Sequence, residues 1–302
     1  MAGHWTDSFS FVAAAVRDKT CIFVVLSDDA VAQKKIPMSG IVQWVPDGWG
    51  DGGQTVWRTA DVEMIRHPLI QMIAIGEYGA ALLIGSGDRH EETIVTSNSS
   101  PAKRGPLRGV RSIENEILVV GMDRQVYRRA GHDSWENFDL GIPRNSDPKA
   151  VSGFEAVDGF SMSEIYAVGW DGEIWCCENG TWVAQASPAN SVLVDVCCGG
   201  DGFVYACGRN GLLIKGKKGQ WDIVDQGAFS EDLWNLAWYK DRLYASSMDN
   251  VFVLEDGELS PVYMGEDQAK TCYRLCTDDG IMLSVGAKDI MSFDGAKWTR
   301  ID

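Results

Sequence analysis

The chain has 302 residues, 45% of them hydrophobic, and a formal net charge of −16 from 27 Lys and Arg against 43 Asp and Glu. That length suits one domain with a sizeable core, and so acidic a surface repels nucleic acid and anionic membranes while attracting basic partners. No run of eighteen apolar residues exists to span a bilayer, and the apolar stretch 8–16 follows no basic segment, so it reads as a strand rather than a signal peptide.

From the N-terminus, one pattern recurs seven times. A short apolar run reaches a small residue, turns over two or three polar residues and descends into a second apolar run. The copies span 22–32, 72–82, 117–127, 165–175, 204–214, 243–253 and 282–292. Their register marks are Leu26, Gly76, Gly121, Gly169, Gly208, Ser247 and Gly286, at steps of 50, 45, 48, 39, 39 and 39 residues.

Each unit carries more than a hairpin. Upstream lies an apolar pair: Val110 and Ile113, Phe154 and Val157, Leu193 and Val196, Trp234 and Ala237, Tyr273 and Cys276. Downstream comes a turn and then Trp135, Trp182, Trp221, Trp298 or Trp57, with Leu259 in the sixth unit. Four alternating runs per unit of about forty residues describe a propeller blade. Asp171-Gly172 and Asn210-Gly211 suit two-residue turns that need positive φ. The expected fold is therefore all-β: a seven-bladed β-propeller of four-stranded antiparallel blades, with six or eight as the alternatives, spanning 1–302 as a single domain. Either 297–301 supplies the outer strand of the last blade, or His4, Trp5 and Thr6 complete it. Irregular insertions are expected near 33–56, 86–109 and 129–149, where Pro, Gly and Ser collect.

Eight cysteines are present, six of them at or beside strand positions that hold Ala, Val or Ile in sister repeats. They read as small buried hydrophobes in a reduced cytoplasm. No Cys-x-x-Cys occurs, and His4, His67, His90 and His132 are scattered, so no metal and no cofactor are expected. Gly-x-Ser-x-Gly, phosphate-loop and His-Glu-x-x-His motifs are missing too, which argues against an enzyme.

Two residues past each register mark stand Asp28, Tyr78, Asp123, Asp171, Asn210, Asp249 and Lys288. In a propeller these tips ring one face. Turn chemistry alone favours Asp and Asn there; neighbouring Trp170 and Arg209 are less easily explained so. The candidate partner-binding residues are Asp28, Tyr78, Asp123, Trp170, Asp171, Arg209, Asp249 and Lys288, with Trp44 and Trp49 from the Gly/Trp-rich stretch.

The segment AVGWDGEIWCCENGTWVAQASP (167–188), followed by Leu193 and Val196, resembles the repeats of sialidase-like and photosystem II assembly-factor-like propellers. That resemblance implies the fold. The arginine cluster and Tyr/Glu pair of true sialidases find no match, which puts glycosidase activity in doubt. The expected function is protein binding without catalysis by a cytoplasmic monomer. Its concrete form is a bacterial immunity protein that neutralises a basic toxin by covering its active site with an acidic face. A glycan-binding or glycosidase-like propeller, and an assembly scaffold, are the alternatives.

Overall fold

The computed structural model describes residues 5–144, 151–227 and 229–302. Seven separate four-stranded antiparallel sheets form the blades of a ring. Each is laid down contiguously from the central channel outward. The inner strands are Phe9–Asp18, Thr59–Ile65, Leu107–Ile113, Phe154–Ser161, Leu193–Cys198, Asn235–Tyr239 and Arg274–Asp278. The last blade is completed by its own outer strand, Trp298–Arg300, while Trp5–Asp7 form a 3-10 turn.

The core consists of seven apolar clusters, one at each junction between neighbouring blades. Middle strands face a blade on each side, so they are apolar on both faces instead of alternating. This explains adjacent Cys176 and Cys177: the first packs towards the fifth blade, the second towards the third. All eight cysteines are free thiols and six are buried.

The outer-strand Trp is a packing device. Trp135, Trp182, Trp221 and Trp298 each press on the preceding blade. Each of the first three stands two residues past the final turn of its blade. In the first blade that position belongs to Trp49, paired with Trp44 and half-buried against Phe11. Trp57 lies instead in the link to the second blade, packed on Gly76. The second blade has Arg89 at this position, and its guanidinium still reaches back, donating to Gly52 O (2.7 Å) and Gln54 O (3.1 Å).

The expected insertion near 33–56 is mostly regular: Ser39–Val45 and Gly48–Thr55 are the two outer strands of the first blade. Only a one-turn helix, Asp29–Gln33, and a short link interrupt it. Gly50, Gly52 and Gly53 hid this strand, because Gly carries no β-propensity signal. Likewise Asp88–Thr93 and Ser134–Asn137 are outer strands inside the other two irregular stretches. Between them, Pro101–Arg104 forms a turn of helix, and 145–150 lies outside the described residues.

Candidate interaction face at the channel mouth

In each blade the inner strand starts at the end of the ring where the second strand turns into the third. Hairpin tips and the links between blades therefore share one face, and the channel opens at its centre. Inner-strand side chains line a cavity of about 200 Å³ there.

Side chains in the channel tie successive inner strands from the second blade to the seventh. Asp61 Oδ2 accepts from Val110 N–H (3.1 Å), Asp158 Oδ2 from Cys198 N–H (2.8 Å), Asp195 Oδ2 from Leu236 N–H (2.7 Å), and Asn235 Oδ1 from Leu275 N–H (2.7 Å). Arg111 donates to both oxygens of Asp158, which holds the guanidinium well above its ordinary pKa. Burial pushes the Asp195 carboxyl up to about 7 and also raises Glu63. These groups are spent on structure: they replace strand-to-strand pairing that the splayed blades cannot make.

The first blade contributes Ala13, Ala14, Ala15 and Val16 to this wall, none of them with a polar side chain. Two arginines span it instead. Arg274 of the last blade donates to Asp61 of the second (2.7 Å). Arg66 of the second donates to Asp278 of the last and to Val16 O and Arg17 O of the first.

Above the channel an aromatic and guanidinium chain crosses the last three blades. Arg209 lies 6.0 Å over the Trp234 ring, Trp234 is 5.5 Å from Tyr273, and the Arg274 guanidinium is 5.9 Å from Tyr273. Trp170 leans towards the same mouth and donates to Glu155 Oε1 (2.6 Å), which lies 3.6 Å from Arg108 Nε. Among the described residues, the donors Arg108 Nε, Trp234 Nε1 and Arg274 Nε are buried and meet no acceptor. Water or a partner's acceptor must meet them.

Trp234 and Tyr273 do not occupy the buried apolar-pair positions that the repeat suggested. Leu233 with Leu236, and Cys272 with Leu275, hold those places. A one-residue slip moves a strand side chain to the opposite face, so both aromatics face the channel mouth. Asn235 sits opposite Ser246 just as Asp195 sits opposite Cys207. That polar position, one residue past each aromatic, was the available signal.

The other candidates divide. Tyr78, Asp171, Arg209 and Asp249 are exposed on the mouth face. Asp171 and Asn210 take φ of 56° and 54°, as their turns require. Asp28 caps the short helix by accepting from Val31 N–H (3.0 Å). Asp123 is held by Arg104 (2.9 Å). Lys288 donates to Asp29 (2.7 Å), Phe9 O and Thr6 O, latching the last blade to the first. Trp44 and Trp49 flank a turn on the opposite face and pack inward.

Exposed large apolar side chains favour the mouth face. Ile36, Val56, Tyr78, Val95, Leu140, Val151, Met248 and Tyr263 belong to its tips and links, against Leu69, Ile70 and Phe203 on the far face and Val183 and Ile223 on outer strands. Around the Arg209–Trp234–Tyr273 chain runs an acidic arc of Asp171, Glu231, Asp232, Asp249, Glu266 and Asp267 from the last four blades and their links. Among the described residues, no helix is long and apolar enough to cross a membrane.

Solved structures similar to this chain are propellers. Virginiamycin B lyase from Staphylococcus aureus superposes with a TM-score of 0.68 at 12% identity, covering 95% of this chain and 94% of that one. The WD40 propeller domain of Doa1 gives 0.69 at 11%, covering 97% and 93%. YCF48 bound to a D1 peptide gives 0.67 at 12%, covering 93% and 90%. YCF48 is a photosystem II assembly factor, in keeping with the resemblance carried by the repeat. At these identities the likeness is one of fold alone. No family model matches the chain. The immune protein Tsi7 of Pseudomonas aeruginosa is 39% identical over 298 residues, 97% of each chain. With likeness of that extent running through every blade, the chain belongs to the family of the immune protein Tsi7.

Proposed function

We propose that this propeller is an immunity protein that binds a toxin over its channel-mouth face and acts by occlusion, not catalysis. The observation that carries the reading is the concentration on one face of exposed apolar side chains around a Trp, Tyr and Arg centre. Those residue types dominate interface hot spots, and a surrounding ring that excludes water strengthens them. Membership in an immune-protein family supports toxin as the partner class.

The finer reading adds a basic partner. The net charge of −16 and the acidic arc favour a cationic toxin surface and speed its encounter. A monomer free in the cytoplasm, with the mouth uncovered, completes the proposal. The test is binding of a candidate toxin from the source cell, by calorimetry at low and high salt. Trp234→Ala and Arg209→Ala should each cost about 2 kcal/mol of binding, the hot-spot threshold, with unchanged melting temperature. Leu69→Ser on the far face should leave affinity intact. Equal losses from both faces, or none from the mouth variants, would place the toxin elsewhere.

A further inference from the structure

We propose that His90, His132 and Asp133 form a binding site for a divalent transition-metal ion of the zinc class, joining the outer edges of the second and third blades. In sequence the two histidines are 42 positions apart, and nothing in their spacing suggests ligation. In the fold, His90 lies on the outer strand Asp88–Thr93, and His132 with Asp133 forms the turn before the outer strand Ser134–Asn137. The two imidazoles stack with centroids 4.0 Å apart. The Asp133 carboxylate bridges their ring nitrogens, Oδ1 at 3.0 Å from His90 Nε2 and Oδ2 at 3.0 Å from His132 Nδ1. One ligand atom from each of the three residues falls within 4.8 Å of the others.

Two imidazoles and one carboxylate are a donor set for zinc, nickel or copper, whereas magnesium and calcium take oxygen ligands. His132 and Asp133 are exposed, which leaves a fourth position open to water. The support behind the cluster is built in. The side chain of Glu92 is fully buried and accepts from Arg129 Nη2 (2.6 Å), Trp135 Nε1 (2.9 Å) and the backbone N–H of Asp133 (3.1 Å). Glu92 belongs to the second blade and its donors to the third, so the turn bearing two ligands is clamped beside the strand bearing the other. Outer-sphere bonds of this kind fix ligand geometry before an ion arrives. A plain His–Asp contact would explain one imidazole on Asp133; here imidazoles from two different blades each turn a ring nitrogen to the same carboxylate.

The site is on the outer edge, at the end of the ring away from the channel mouth, so its test does not depend on toxin binding. The full chain, freed of metal by chelator, is titrated with zinc by calorimetry and with cobalt by visible absorption. One zinc per chain is expected, with a cobalt d–d band and no uptake of magnesium. His90→Ala and His132→Ala should each weaken zinc by at least the roughly 10–100-fold that losing an outer-shell partner costs. Zinc should raise the melting temperature of the parent chain and not that of the His132→Ala variant. No saturable uptake of zinc, or uptake that persists undiminished in both histidine variants and so belongs to the thiols, overturns the proposal.

Discussion

A single residue shift separates Trp234 and Tyr273 from the core. Their neighbours Leu233 and Cys272 fill the buried positions, and the aromatics turn to the channel mouth. Repeat spacing alone hid this, because the turn between the first two strands differs in length from blade to blade. Of the tip residues, Arg209 and Trp170 stand at the mouth, while Lys288 and Asp28 are committed to internal bonds. Asp195 allows a test at this scale. Its Oδ2 accepts from both Leu236 N–H and Asn235 Nδ2, and Asn at 195 keeps that oxygen. The folded carboxyl titrates near 7 against an ordinary 3.8 because it is buried. Folding therefore takes up a proton between those values, and stability falls as pH rises through that window. Asp195→Asn should be more stable than the parent at pH 8, by up to about 4 kcal/mol, and match it near pH 4. An equal offset at both pH values would mean that the carboxyl is not the titrating group.

At the scale of the strand, the register glycines have a cause other than the turn. Gly169 has φ of −178°, which any residue adopts. A Cβ there would overlap the carbonyl of Gly153, and one on Gly121, Gly208 or Gly286 would strike the carbonyl of Pro106, Val192 or Thr271. In each case the chain entering the inner strand crosses the end of the second strand at backbone contact. Gly180 is the opposite case, with φ of 84° and open space around it. Gly169→Ala should cost about 3 kcal/mol as overpacking, and Gly180→Ala about 1 kcal/mol as left-handed strain, measured by denaturant unfolding. Equal costs would return Gly169 to turn chemistry. The blade count and strand order were legible because hairpins and buried middle strands leave a strong periodic trace. The first blade was not, since its outer strand is half glycine and its packing Trp stands at 49 rather than 57.

For the whole molecule, acidity is both a means of recognition and a vulnerability. Burial pushes Glu92, Asp289 and Asp29 up, but hydrogen bonds from Arg129, from Thr271 and Arg300, and from Lys288 and Ser10 outweigh it, leaving all three below their ordinary values. Their folded carboxyls thus bind fewer protons than the unfolded chain does. Their contribution is complete above the ordinary values of 4.5 and 3.8 and fades as pH falls through the lowered folded ones. The melting temperature should drop steeply below about pH 4, and Lys288→Met should flatten that drop by removing the Asp29 pair. An unchanged acid limb in Lys288→Met would show that the latch contributes nothing there.

The two arginines that span the first blade have a further consequence, for synthesis. That blade is made before any other, yet Arg274 and Asp278 of the last blade must be present before Asp61 and Arg66 complete the bonds that span it. The ring closes only when the last blade is in place, so the earliest blade waits for the latest to be fixed. In the finished ring it sits as a keystone does in an arch: first cut, last locked, and gripped from both sides.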